Sequence, residues 1–209
     1  MSTPRIPRLI VATKNKGKVA EFRELLGDSS IVIDDLSAAP DAPDVEENGQ
    51  TFRDNACIKA SAYAQHLNAW SLADDSGLSV DALDGKPGIH SARWAQIHEK
   101  GKGDADNNRV LLDQLKDVPD EKRTARFVCV LALSDPTGRI VLTAMDTVEG
   151  RLLYAPRGTN GFGYDPLFFI DSQGKTTAEL TSDQKHAISH RGKAMRHMIR
   201  LMRENGLIG

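Results

Sequence analysis

Two strand-like runs, Arg126 to Ser134 and Arg139 to Val148, are separated only by Asp135-Pro-Thr-Gly138. Turn residues between two such runs predict a hairpin. That hairpin is an antiparallel insertion in a chain that otherwise alternates strand and helix. Upstream, Arg8 to Thr13 reads as a buried strand and Gly17 to Leu26 as a helix with Val19, Phe22 and Leu26 on one face, with Asn15 as its N-cap. A second strand is expected at Ile31 to Ile33, then an exposed loop marked by Pro40, Pro43 and the acids Asp41, Asp44, Glu46 and Glu47. Thr51 opens a helix carrying Phe52, Ala56, Tyr63 and Leu67 at helical spacing. A strand ending at Asp74, a shorter one from Leu78 to Val80 and a Gly85 to Gly88 loop follow.

Asp104 to Val118 reads as helix, Arg157 to Pro166 as a glycine-rich loop and Leu167 to Ile170 as a short strand. The chain is helical from Thr181, which with Gln184 makes a capping box. Ile188, Met195, Met198 and Met202 continue an apolar face, and Ser189 either lies within that helix or starts another. The class is therefore α/β: a mixed sheet covered by helices, with function in its loops.

A chain of 209 residues holds one sizeable core, or two lobes around a cleft. The formal net charge of -2 lacks the basic excess of a general nucleic-acid binder. Cys57 and Cys129 lie far apart in apolar patterns, as buried reduced thiols do. The short apolar run after MSTPRIPR fits neither a signal peptide nor a membrane span. The expectations are a cytoplasmic protein, no nucleic-acid partner and no membrane.

Asp74 and Asp75 close an apolar run and precede Ser76-Gly77. Adjacent carboxylates resist joint ionisation unless a cation neutralises them, and Mg²⁺ takes one or two carboxylates with phosphate oxygens and water. An ordinary strand-end turn is the plainer alternative. Thr13-Lys-Asn-Lys-Gly-Lys18 joins a strand to a helix, where free N–H groups and the helix dipole meet an anion; it lacks the P-loop pattern. Gly158 to Pro166 combines glycines, Phe162, Tyr164 and Asp165, which suits recognition of a flat base. Lys185 and Ser189-His190-Arg191 add donors. His186 and His190 have the spacing of paired zinc ligands, but no glutamate follows His186 and no third ligand is evident. Ser189 and His190 do not make a nucleophilic triad, because adjacent residues rarely reach a working geometry and no nucleophile elbow is present.

LIVATKNKGKVAEF, TFRDNACIKA, LADDSGLSVDAL, PGIHSARWA, GTNGFGYDPLFF and AELTSDQKHAISHRGKA, in this order over about residues 8 to 202, resemble the inosine triphosphate pyrophosphatases, also called dITP/XTP pyrophosphatases. The resemblance implies Mg²⁺-dependent hydrolysis of ITP, dITP and XTP to monophosphate and pyrophosphate by a homodimer. It implies one pyrophosphatase domain over residues 1–209, an elongated mixed sheet with two lobes and the active site in the cleft between them. Carried over by position, the phosphate-binding turn is Thr13 to Lys18, with Thr13, Asn15 and Lys18 at its centre and Lys14, Lys16 and Gly17 between them. The metal carboxylates fall on Glu46 and Asp75, with Glu47 a neighbour able to replace Glu46, and Asp75 is also the proton acceptor for water. Ser76, Phe162, Gly163, Tyr164, Asp165, Lys185, His190 and Arg191 match substrate contacts, Lys59 reaches phosphate, and Asp74 supports the metal from behind its direct ligands. Arg191 with main-chain N–H groups is the expected donor to the C6 oxygen of hypoxanthine, and the loop from Phe162 to Asp165 refuses guanine at C2. Two other readings remain: a Maf-like pyrophosphatase for other altered nucleotides, and a nucleotide sensor without turnover.

Overall fold

The computed structural model describes residues 5–14, 16–26, 31–39 and 41–209. It is an α/β protein with a seven-stranded sheet in the order β2-β1-β3-β4-β5-β6-β7. These are β1 (Arg8–Val11), β2 (Val32–Asp35), β3 (Trp70–Val80), β4 (Thr124–Ser134), β5 (Ile140–Leu152), β6 (Phe168–Ile170) and β7 (Lys175–Thr176). The helices are α1 (Lys16–Leu26), α2 (Phe52–Leu67), α3 (Trp94–Ile97), α4 (Asp104–Gln114), α5 (Ser182–Ile188) and α6 (His190–Glu204). β1 pairs in parallel with β2 and β3, as strands joined by the crossover helices α1 and α2 must. β6 pairs antiparallel with β5 and β7, so the sheet is mixed as expected. The hairpin turn forms at Asp135, whose N–H donates to Arg139 O at 3.0 Å.

The chain divides into two compact units: residues 1–75, 129–146 and 191–209, and residues 76–128 and 147–190. In the first, Leu9 and Val11 of β1, Phe22 of α1, Leu72 of β3 and Leu131 of β4 form a core with Met195, Met198 and Met202. Those methionines recur at the helical spacing that gives α6 its apolar stripe. α2 starts at a complete capping box between Thr51 and Asp54 and ends on Asn68, at φ 45° in the left-handed region that asparagine tolerates. In the second unit, Leu78, Leu111, Phe127, Leu152, Leu167 and Phe168 form the core. Arg123 is buried beside it, donating to the carbonyls of Leu115 at 2.6 Å, Leu152 at 2.8 Å and Leu153 at 3.0 Å.

Two expectations change and one open alternative is decided. The strand expected to stop at Asp74 continues to Val80, so the two aspartates lie inside a strand and not at a turn. Gly77, read as a turn residue, is there for space: a Cβ would come within 2.4 Å of Ser91 Oγ and 2.6 Å of Gly88 O. The C-terminal helix breaks at Ser189, which is extended at ψ 155°, so α5 and α6 are separate. His186 and His190 therefore lie on different helices and lose the shared face that a zinc pair needs.

Candidate active site

A strand projects successive side chains to opposite faces. Asp74 thus shares the face of Trp70 and Leu72, and Asp75 points the other way. Their partners follow that division. Lys18 of α1 pairs with Asp74 Oδ1, while Arg191 Nε of α6 and Cys129 Sγ lie 3.3 Å and 3.2 Å from Asp74 Oδ2. Asp75 instead meets α2: Lys59 Nζ is 3.0 Å from its Oδ1 and Asn55 Nδ2 3.4 Å from its Oδ2. The doubled charge that looked like one cation site is two environments back to back.

Those environments push ionisation apart. Burial opposes the charge of Asp74, but Lys18 and Arg191 override it and hold the carboxyl far below the usual carboxylate range. For Asp75 burial prevails, pushing the carboxyl up to about 6 although Lys59 and Lys18 pull it down. Burial also works against the Lys59 ammonium, yet Asp75 and Glu47 outweigh it and raise the pKa of Lys59. Two neighbouring carboxyls whose surroundings push their pKa values apart are the signature of divided roles.

Of the two loop glutamates, Glu47 is the one brought to this cluster, its Oε1 3.2 Å from Lys59 Nζ; Glu46 is exposed. Among the described residues no group of three or more His, Cys, Asp or Glu could hold an ion unaided. Magnesium needs only one or two protein carboxylates, and Lys59 already marks the place where Asp75 and Glu47 share a positive charge. That donor set fits Mg²⁺. Asn55, fully buried, was missed by the sequence reading. Its Oδ1 accepts from Gly49 N–H at 2.9 Å and so ties the acidic loop to Asp75. The only sequence signal for it is its spacing of four from Lys59 on one helix face.

In the phosphate turn, Lys18 lies against Asp74 and Lys14 reaches Asp44 at 2.6 Å. Thr13 N–H donates to Val11 O at 2.9 Å. Asn15 lies outside the described residues, and of Lys16 and Gly17 only the helical backbone is described.

The second unit carries Ser76, half-buried on β3, and the loop expected to read a base. Asp165 organises that loop: its Oδ2 accepts from Phe162 N–H at 2.9 Å and Lys185 Nζ at 2.8 Å, and its Oδ1 from the Thr177 hydroxyl at 2.8 Å. The Lys185 ammonium also sits 4.9 Å from the centre of the Phe162 ring. Asp165 and Lys185, both expected at the substrate, are also the pair that braces this loop. Tyr164 hydroxyl donates to Ser91 O at 2.9 Å, and His190 stacks on Phe127 at 4.9 Å.

A family model described as the Ham1 family matches residues 9–201. The chain belongs to the Ham1 family. It is 49% identical over 191 residues to a protein of Exiguobacterium sibiricum named dITP/XTP pyrophosphatase, covering 91% of this chain and 94% of that one. A protein of the same name from Geobacter sulfurreducens is 49% identical over 188 residues, covering 90% of this chain and 92% of the other. Among solved structures, a HAM1 protein from Coxiella burnetii matches with a TM-score of 0.85 at 39% identity, over 95% of this chain and all of that one. A nucleoside-triphosphatase, dITP/XTP pyrophosphatase, from Mycobacterium abscessus matches at 0.73 and 42% identity, over 92% of this chain and 98% of the other. Among the described residues of this Ham1 chain no helix is long and apolar enough to cross a membrane, and both cysteines are free thiols.

Proposed function

We propose that this chain hydrolyses the deaminated purine nucleoside triphosphates ITP, dITP and XTP to monophosphate and pyrophosphate, clearing them from the nucleotide pool. The observation that carries this reading is that Asp74 and Asp75, adjacent on one strand, are held by different partners, Lys18 and Arg191 against Lys59 and Asn55, and the names of the relatives support it. Asp75, whose carboxyl burial raises to about 6 in the metal-free protein, is ionised at neutral pH and is suited to take a proton from the attacking water. The water oxygen bonds to phosphorus, the anhydride P–O bond breaks, and its electron pair leaves with pyrophosphate. Asp75 and Glu47 would hold Mg²⁺, which when bound polarises the anhydride and offsets the charge of the triphosphate. Lys59 and Lys18 add fixed positive charge for the phosphates, and Asp74 keeps Lys18 and Arg191 in place. Arg191, anchored through its Nε to Asp74, remains the donor for the C6 oxygen of the base, and the loop around Phe162 supplies the rest of base recognition. A cytoplasmic homodimer belongs to the same reading.

The test is pyrophosphate release from ITP, dITP, XTP, GTP, ATP, CTP and UTP, with Mg²⁺ and with EDTA, run once in ¹⁸O-labelled water to locate the attack. ITP and XTP should exceed ATP and GTP in kcat/KM by at least about 10²-fold, within the range a site with a polar edge can reach. Equal turnover of ATP or GTP would refute the reading. A pyrimidine preference would favour the Maf-like alternative, binding without release a sensor.

A further inference from the structure

Gly163 lies at φ +64°, and a Cβ there would meet nothing within 4 Å. Glycine is required at this point for its backbone angle and not for room. That backbone is gripped on both sides by α4. Asp104 Oδ2 accepts from Gly163 N–H at 2.6 Å, and Asn108 Nδ2 donates to Gly163 O at 2.8 Å. The second Asn108 proton goes to Asp104 O at 2.9 Å. Both neighbours of the amide nitrogen are acceptors, which fixes the orientation of the amide. Its Oδ1 is buried with no hydrogen-bond partner among the described residues. An orphaned buried oxygen is a cost that a side chain serving packing alone would avoid, since leucine fills similar space without one. The asparagine is explained by what its nitrogen holds.

Gly163 follows Phe162, and both line a cleft of about 590 Å³ together with Asp104, Asn108 and Leu112 of α4. The peptide that α4 grips therefore sets where the Phe162 ring and the next backbone groups point. We propose that Asp104 and Asn108 are positioning residues for base selection, acting through the Gly163 peptide. The proposal deepens the function proposed above and rests on the loop from Phe162 to Asp165 reading the base. Their role is exerted through the peptide that they hold. Their effect is on which base is accepted and not on the hydrolytic step. Removing either grip lets Gly163 sample other angles, so the right base binds less well and the wrong ones are refused less.

The experiment measures kcat/KM for Asn108→Ala, Asp104→Ala and Asp104→Asn over the same seven triphosphates. Thermal melts are recorded alongside. For both alanine variants the ratio of the best to the worst base should fall at least about 10-fold, mainly through KM, as when uniform binding energy is lost. Asp104→Asn retains an oxygen acceptor for Gly163 N–H and should keep the ratio within about 2-fold of wild type. A merely structural role would lower all substrates together and leave the ratio unchanged, and that result overturns the proposal. So does an Asp104→Asn variant as unselective as Asp104→Ala. If Asn108→Ala does not fold, the Asp104 pair decides, because Asp104 is exposed at the start of the helix. A wild type that prefers another base sinks the function proposed above but leaves the ratio test of the clamp intact. No turnover of any triphosphate overturns both.

Discussion

The cluster around Asp75 and the loop around Gly163 are both dense in polar contacts, but they are built on opposite plans. At Asp75 charges are left in tension: a carboxylate raised to about 6 by burial, a lysine shared with Glu47, and an asparagine at 3.4 Å that binds only weakly. At Gly163 both main-chain polar groups are satisfied by short, well-made bonds, and the neighbouring Asp165 carboxylate is saturated by three donors. Tension suits a group that must change its protonation state. Saturation suits a surface that must keep one shape while ligands come and go. The two regions should therefore fail differently when damaged.

The sharpest way to break that contrast is Asp75→Asn. It should lower kcat by at least about 10²-fold, since positioned base catalysis commonly contributes 10² to 10⁴, while leaving the ratio between bases unchanged. Steady-state kinetics on ITP and GTP test both halves. Turnover near wild type would remove Asp75 from the chemistry, and a changed ratio would merge the two regions' roles. Asp74→Asn belongs to the same strand but has a different outcome. It leaves Lys18 and Arg191 as cations beside a neutral side chain, and removing one partner of a buried pair typically costs about 3 to 5 kcal/mol. Urea unfolding would measure it; a stability equal to wild type would mean that the pair is replaceable.

How much of this was legible in the sequence depends on how far each contact reaches along the chain. The hairpin at Asp135, the helix start at Thr51, the capping box at Thr181 and the methionine stripe of α6 are local patterns, and each forms where the residues predict it. The strand end at Asp74 was misplaced because Ser76-Gly77 resembles a turn, when Gly77 answers to Ser91 and Gly88 more than ten positions away. Asp104 and Asn108 carry no motif at all. They act on Gly163 across 59 and 55 positions, so only the folded chain makes them partners. Charge could be read as charge from Asp74, Asp75, Lys18 and Lys59, but which face each occupied could not, because strand parity matters only once the strand is known to continue.

Phe162→Ala sharpens the contrast from the other side. Stacking of a base on an aromatic ring contributes about 1 to 3 kcal/mol, so KM for ITP should rise roughly 10-fold or more, with kcat for saturating substrate little changed. Isothermal titration with IMP, free of turnover, would check the same loss in binding. An unchanged KM would take the ring out of recognition and leave Lys185 and Asp165 holding a loop with another purpose.

The smallest effect is one of pH on the metal-free protein, and it separates Asp75 from Asp74 by sign. The Asp75 carboxyl has a folded pKa of about 6, above the ordinary 3.8, so between these values the folded state binds more protons than the unfolded one. Its ionisation therefore destabilises the fold above about pH 6, and that penalty fades as pH falls towards 4. Asp74 is depressed below 3.8, so it stabilises the fold above that value and its contribution is lost only in stronger acid. Asp75→Asn deletes the first term and leaves the second. In EDTA, the variant should be more stable than wild type at pH 8, by on the order of 1 kcal/mol, and the difference should close as pH is lowered through 6 to 4.5. Urea unfolding at these three pH values gives the result directly. A difference independent of pH would show that Lys59 neutralises Asp75 fully in the folded protein, and the tension that distinguishes this cluster from the saturated loop would not exist.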